Sequence, residues 1–410
     1  MSCQQFRFLH AADFQLDRPC DGLTEIPEHL LDTLVDAPYR AAQKVLETAL
    51  AEQVSLVLLT GDLIGHEQPT ARAYALLRDQ FRQYHEHGIE VCWAGNRVIN
   101  GAVWPESVQL PPNVHLLPID QVESVPIRCG TRTVAEVVGM SVAREFKSSD
   151  LKRFVAGKQT PLSMALVPGR AEPPEVSSLP FDYWALAGSD RRESLHESSP
   201  ILHDPGPTQG RRPSQAGPHG CTIGELDSEG VIELRFVPCD QVRWHTEHIA
   251  VSAAQPLDAW KSTLAQRTEE LRQLAPDVPL LITWCLEVVG NHSAAKPLAD
   301  SLATLVDWLR NEYGHQSPPC WTVALDIERP AVELDEWQHE DTLLGDYLRA
   351  VEQVSEAQQP LAELIWPADE ELRQILGTWL DVTRPDVRRR VLRSAAELGA
   401  LMLRGEHVLQ

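Results

Sequence analysis

Apolar residues in the first hundred positions fall into short unbroken runs, separated by stretches where they recur every third or fourth position. FRFLHAADF (6–14) and VSLVLLTGDL (54–63) are runs of the first kind and read as buried strands, the second ending at Gly61-Asp62. PYRAAQKVLETALAEQ (38–53) sets Ala41, Val45, Leu46, Ala49 and Leu50 on one face, which predicts a helix opened by Pro38. PTARAYALLRDQFRQYHEHG (69–88) is bounded by Pro69 and Gly88 and predicts a second helix. IEVCWAGN (89–96) follows as a third strand. Strand alternating with helix is the pattern of a parallel α/β sheet.

The pattern then changes. TVAEVVGMSVA, PLSMALVPG, FDYWALAGSD and GCTIGELDSEGVIELRFVP are strand-like, the last a hairpin turning at Asp227–Gly230. The segment PSQAGPHG between them reads as a loop over a sheet edge. From about residue 245, helix, strand, helix and strand follow in DAWKSTLAQRTEELRQLA, VPLLITWCLEVVG, LADSLATLVDWLRNEYG and CWTVALDIER. Beyond about 336 the periodicity is helical, with Val387, Val391, Ala395, Leu398 and Met402 along one face of the last segment. Three regions are therefore expected: 1–240, a small α/β cap over 241–335, and a helical tail over 336–410.

The 410 residues carry a net charge of −23, a field that repels nucleic-acid phosphates unless a local basic patch intervenes. Eight cysteines are scattered without a C-x-x-C pair, which fits a reducing compartment, and most read as small buried hydrophobes. The first residues lack signal-peptide architecture and no apolar run spans a bilayer, so the expected location is cytoplasmic, with no membrane partner.

Ligands gather at the carboxyl ends of strands in parallel α/β sheets. Those ends here present three oxygen-bearing side chains: Asp13, Asp62 and Asn96.

FRFLHAADFQLDRPCDGL, LVLLTGDLIGHEQP, GIEVCWAGN and DPGPTQGR, in this order, resemble the calcineurin-like metallophosphoesterases, specifically their DNA repair exonuclease branch of SbcD- and YhaO-type proteins. The resemblance implies an αββα sandwich followed by an α/β cap and helices. It implies a site for two divalent ions, usually manganese, that orient water against a phosphodiester. By motif, Asp13, Asp62 and Asn96 stand at ligand positions and are the residual metal candidates. The other positions depart from the pattern. Gln15, Val167, Ser189 and Arg191 stand where the family has histidine ligands, and Arg97 stands at the leaving-group histidine.

A guanidinium does not deprotonate at useful pH, and valine has no lone pair, so the expectation is loss of the metal pair, with at most one weakly bound Mg or Mn. Asp13 and Asp62 are then either surviving ligands or ion-pair partners of Arg97 and Arg191. Arg97, Arg191, Arg211 and Arg212 are candidate phosphate contacts, and Arg388–Arg390 reads as a solvated face or a contact to an acidic partner. His10 is either an orienting neighbour of Asp13 or a plain strand-end residue. His66, His85, His87, His196 and His203 are the candidate replacement ligands, against which His85 and His87 read as complementing a helix dipole and His66 and His203 as exposed loop residues.

Three functions stay open. The first is a scaffold subunit without two-metal activity, whose C-terminal helices engage an SMC-like coiled-coil ATPase, as the resemblance implies. The second is a phosphoesterase with a rebuilt site. The third is a non-catalytic phosphate- or nucleotide-binding module, with DNA contact possible.

Overall fold

The structure, a computed structural model, describes residues 6–23, 25–65, 69–96, 104–144, 146–154, 162–176, 179–196, 200–252, 254–289, 298–328, 337–356 and 385–403. The chain divides into two compact units, Met1–Ile327 and Glu328–Gln410.

In the first unit, β1 (Phe6–Ala12), β2 (Leu56–Thr60) and β3 (Glu90–Ala94) run parallel, as their continuous apolar runs predict. They are joined by α1 (Glu28–Ala51) and α2 (Ala71–Glu86). Pro38 does not open α1. It lies inside a helix that begins ten residues earlier, because Leu30, Leu34 and Ala37 already have an apolar surface to cover. Adding β4 (Val114–Leu116), β11 (Gly220–Leu226) and β12 (Ile232–Pro238) gives a six-stranded sheet of order β12-β11-β1-β2-β3-β4.

A second six-stranded sheet has the order β5-β6-β7-β8-β10-β9. Its strands are β5 (Glu123–Cys129), β6 (Arg132–Gly139), β7 (Ser163–Leu166), β8 (Tyr183–Ala185), β9 (Glu193–His196) and β10 (Ile201–Asp204). The period-2 alternation of strands sorts the core into layers. Phe8, Leu56, Leu58, Cys92 and Ala94 face Ile127, Val137, Met164 and Tyr183 between the sheets. Leu9, Ala11, Val57, Leu59, Val91 and Trp93 face the helices. The outer face of the second sheet is covered by Phe146, Leu151, Phe154 and Phe181. The result is a layered α/β sandwich.

A three-stranded sheet, β13-β14-β15, completes this unit: β13 (Arg243–Ser252), β14 (Leu280–Val289) and β15 (Cys320–Glu328). Helices α3 (Leu257–Leu274) and α4 (Leu298–Tyr313) pack on it around Trp260, Leu264, Trp284 and Leu309. Strand β13 is absent from the sequence reading because its charged, alternating RWHTEHIAVS never forms an apolar run.

In the second unit, α5 (Leu343–Glu356) and α6 (Pro385–Leu403) pack together through Leu344, Leu348, Ala396 and Ala400. The buried line of α6 is therefore Leu392, Ala396 and Ala400. Met402, expected on the apolar face, is 68% exposed. Gly399 permits the approach, since a Cβ there would lie 2.3 Å from the Tyr347 ring. The Tyr347 hydroxyl donates to the Ala395 carbonyl at 2.7 Å. Side chains of Val387, Arg389 and Arg390 lie outside the described ones, and Arg388 donates to the Val354 carbonyl. No helix among the described residues is long and apolar enough to cross a membrane.

Candidate functional site

The carboxyl ends of β1, β2 and β3 deliver Asp13, Asp62 and Asn96 to one loop cluster, the placement expected of parallel strands. Asp13 follows β1 directly, in the left-handed region at φ 47°, and is buried. Its Oδ1 accepts the Asp62 amide at 2.9 Å and its Oδ2 accepts the Gly188 amide at 3.0 Å. One carboxylate thus ties together the ends of β1, β2 and β8. Gly61 makes this possible: at φ +73° it carries no Cβ, and one built there would lie 2.3 Å from Asp13 Oδ1. Asp62 is buried beside it. The Oδ1 of Asn96 is buried with no hydrogen-bond partner among the described residues.

The expected imidazole positions are built into the protein's own contacts. Gln15, also left-handed at φ 45°, accepts through Oε1 from Arg18 at 3.2 Å. Val167 is fully buried among the outer-layer hydrophobes. Ser189 is buried. Its amide donates to Asp204 at 2.9 Å, its hydroxyl donates to Glu193, and Arg170 donates to its Oγ at 3.1 Å. Arg170 also pairs with Glu193 at 2.9 Å. Arg191 is exposed and its Nε reaches the Ser214 carbonyl at 3.4 Å, so it is not an ion-pair partner of Asp13 or Asp62. Arg97 lies outside the described residues, as does His66.

Arg211 and Arg212 do not form an outward basic patch. Arg211 is only 2% exposed and its guanidinium caps the carbonyls of Phe14, Gln15 and Gln209. Burial lowers its pKa to about 10, which leaves it cationic at neutral pH. Arg212 is half-exposed and pairs with Asp190 at 2.8 Å.

His10 does not orient Asp13. It is fully buried between the sheets, within hydrogen-bond distance of the Tyr183 hydroxyl (3.0 Å) and the Thr60 hydroxyl (3.1 Å). His203, expected in an exposed loop, lies in β10 and is fully buried between Ser194 Oγ (2.8 Å) and Thr222 Oγ1 (2.7 Å). Burial, then the nearby Arg192, lowers its pKa to about 3. His85 stands in the last turn of α2, and the His87 ring meets the Gln83 carbonyl. His196 is exposed at the end of β9.

Asp204 is the site residue that sequence reasoning missed. It accepts the amides of Ser189 and Gly206 at 2.9 and 2.8 Å, and is buried. Burial, reinforced by Asp13, raises its pKa to about 7. The available signal was a carboxylate between a strand and Pro205-Gly206.

Two divalent ions side by side need ring nitrogens or extra carboxylates to fix geometry and balance charge. The described positions offer an amide bonded to Arg18, a buried isopropyl group and a serine enclosed by Asp204, Glu193 and Arg170. Both Asp13 oxygens accept backbone amides. This donor set does not fit a metal pair. Among the described residues no three His, Cys, Asp or Glu side chains are grouped as ligands.

No protein-family model matches the chain. Among curated proteins it is 25% identical over 339 residues to the uncharacterized metallophosphoesterase YhaO of Bacillus subtilis, covering 78% of this chain and 81% of that protein. Together with the layered sandwich and strand-end loops above, this similarity supports a metallophosphoesterase superfamily relationship.

Proposed function

We propose that this chain is a metallophosphoesterase relative that works by binding rather than by two-metal phosphodiester hydrolysis, as a scaffold subunit for an SMC-like coiled-coil ATPase. One observation carries the loss of chemistry: at the positions matched to histidine ligands, Gln15 is bonded to Arg18, Val167 is a buried hydrocarbon and Ser189 is bonded to Glu193 and Arg170, while the carboxylate of Asp13 accepts the backbone amides of Asp62 and Gly188. A carboxylate so engaged stitches three strand ends together without an ion. The partner class rests on the sequence resemblance, and the helical pair α5–α6 is the assigned contact region. Leu343, Met402 and Leu403 leave apolar area exposed there.

The test is manganese-dependent hydrolysis of a generic phosphodiester by the full chain, beside Asp62→Asn, with metal content measured on the same protein. Turnover that Asp62→Asn abolishes, or two manganese ions per chain, overturns the proposal. For the partner, loss of ATPase capture on deleting 385–410 is the expected result, and unchanged capture removes the scaffold assignment.

A single-ion reading has one observation of its own, the unpartnered buried Oδ1 of Asn96. It requires one ion per chain that disappears in Asn96→Ala.

A further inference from the structure

The first two turns of α1 expose large apolar side chains while being rigidly anchored. On the inner side, Leu30, Leu34 and Ala37 are buried against Val242, Trp244, Leu281 and Trp321. The His29 ring donates to the Gly314 carbonyl at 2.8 Å and lies 4.4 Å, centroid to centroid, from His315. On the outer side, Leu31 and Val35 are 44% and 57% exposed, and Ile26 just ahead of the helix is 44% exposed. Leu31 and Val35 are four residues apart, so they form one ridge. Glu28 and Asp32 run along the same side of the helix. Both are exposed, and neither forms an ion pair among the described residues. Nearby carboxylates differ: Asp36 meets Arg72 and Arg40, and Glu25 meets Arg310.

We propose that this ridge is a docking surface for a basic amphipathic helix of another protein. Its apolar residues would cover Ile26, Leu31 and Val35, and its lysines or arginines would meet Glu28 and Asp32. Helix-on-ridge recognition uses apolar anchors at i and i+4, and a bordering row of one charge selects the opposite charge on the partner. The charge pattern argues against the other occupants. A second copy packed antiparallel would set carboxylate rows against each other. An anionic lipid surface would be repelled by them, as would nucleic acid. The proposal goes beyond the function above and stands whether or not the strand-end site hydrolyses anything.

The probe is a synthetic amphipathic helix of leucine and lysine, about five turns long. Its control is a scrambled peptide of identical composition that cannot form an apolar face. Fluorescence anisotropy is read on the full chain, on Leu31→Ser/Val35→Ser and on Glu28→Lys/Asp32→Lys, with circular dichroism confirming that the variants keep their fold. The amphipathic peptide should bind the unsubstituted chain at least about tenfold tighter than the scrambled one, a difference of about 1.4 kcal/mol. The serine variant should abolish that preference. The lysine variant should weaken binding of both peptides and flatten the salt dependence. Equal binding of the two peptides means a merely acidic surface and overturns the proposal. So does a serine variant that keeps the preference, and so does self-association of the unsubstituted chain that the serine variant removes.

Discussion

Asp13→Ala separates the two roles an aspartate at this position can have. A carboxylate held only for ions is a stability cost in their absence, since it buries charge beside Asp204. Its removal in chelator should then be neutral or stabilising. The structure gives the opposite sign. Two amides lose a charged acceptor, and such hydrogen bonds contribute about 1.5–3 kcal/mol each. Alanine at φ 47° adds roughly 1 kcal/mol of backbone strain that aspartate tolerates better. Relief of repulsion with Asp204 returns about 1–2 kcal/mol, taken from an interaction at intermediate effective dielectric. The expected net loss is about 2–6 kcal/mol, a large share of the roughly 5–15 kcal/mol that holds a domain folded. Asp13→Asn keeps one acceptor and tolerates the left-handed region, so it should fall between. The assay is urea unfolding in chelator, followed by tryptophan fluorescence and read on the first transition. That signal is well placed, because Trp93 and Trp184 are buried in this sandwich. Equal midpoints for the alanine variant and the unsubstituted chain refute the stitching role. So does a chain that loses several kcal/mol on chelation alone.

Two further outcomes follow from buried groups. His203 is held neutral, with its pKa at about 3 against 6.5 unfolded, so below pH 6.5 the unfolded chain takes up a proton that the native chain refuses. Its contribution is complete above pH 6.5 and is lost as pH falls toward 3, about 2–3 kcal/mol by pH 4.5 at 1.36 kcal/mol per unit. His203→Gln should therefore show a shallower loss of urea midpoint between pH 7 and pH 4.5, and parallel curves would contradict the burial argument. Arg211→Met should cost about 2–4 kcal/mol, because the Phe14, Gln15 and Gln209 carbonyls lose their donors while a desolvated cation is removed. Arg191→Ala, exposed and bonded only weakly to Ser214, should change thermal stability by less than about 0.5 kcal/mol. A reversed order would mean that Arg211 is the solvent-facing cation of the two.

What the chain determines by itself is local and periodic. Unbroken apolar runs define β1, β2 and β3, amphipathic spacing defines α2, and the loops that follow the three strands place Asp13, Asp62 and Asn96 at their carboxyl ends. The departures from the family pattern at Gln15, Val167 and Ser189 are equally legible, because a side chain either has a ring nitrogen or lacks one. Only the tertiary structure decides what each group does with its neighbours. Arg211 looks like half of a surface pair in sequence, yet it is interred because the chain returns over Phe14 and Gln15, almost two hundred residues away. His203 belongs to a short strand whose burial depends on the opposing sheet. The start of α1 lies well ahead of Pro38 because the apolar surface that rewards its first turns is supplied by Trp244, Leu281 and Trp321, far along the chain. Strand β13 has too little apolar content to announce itself and forms because β14 offers a parallel edge. Hydrogen-bond partners, burial and the charge felt by a carboxylate such as Asp204 are properties of distances between remote residues, and no local spacing encodes those distances.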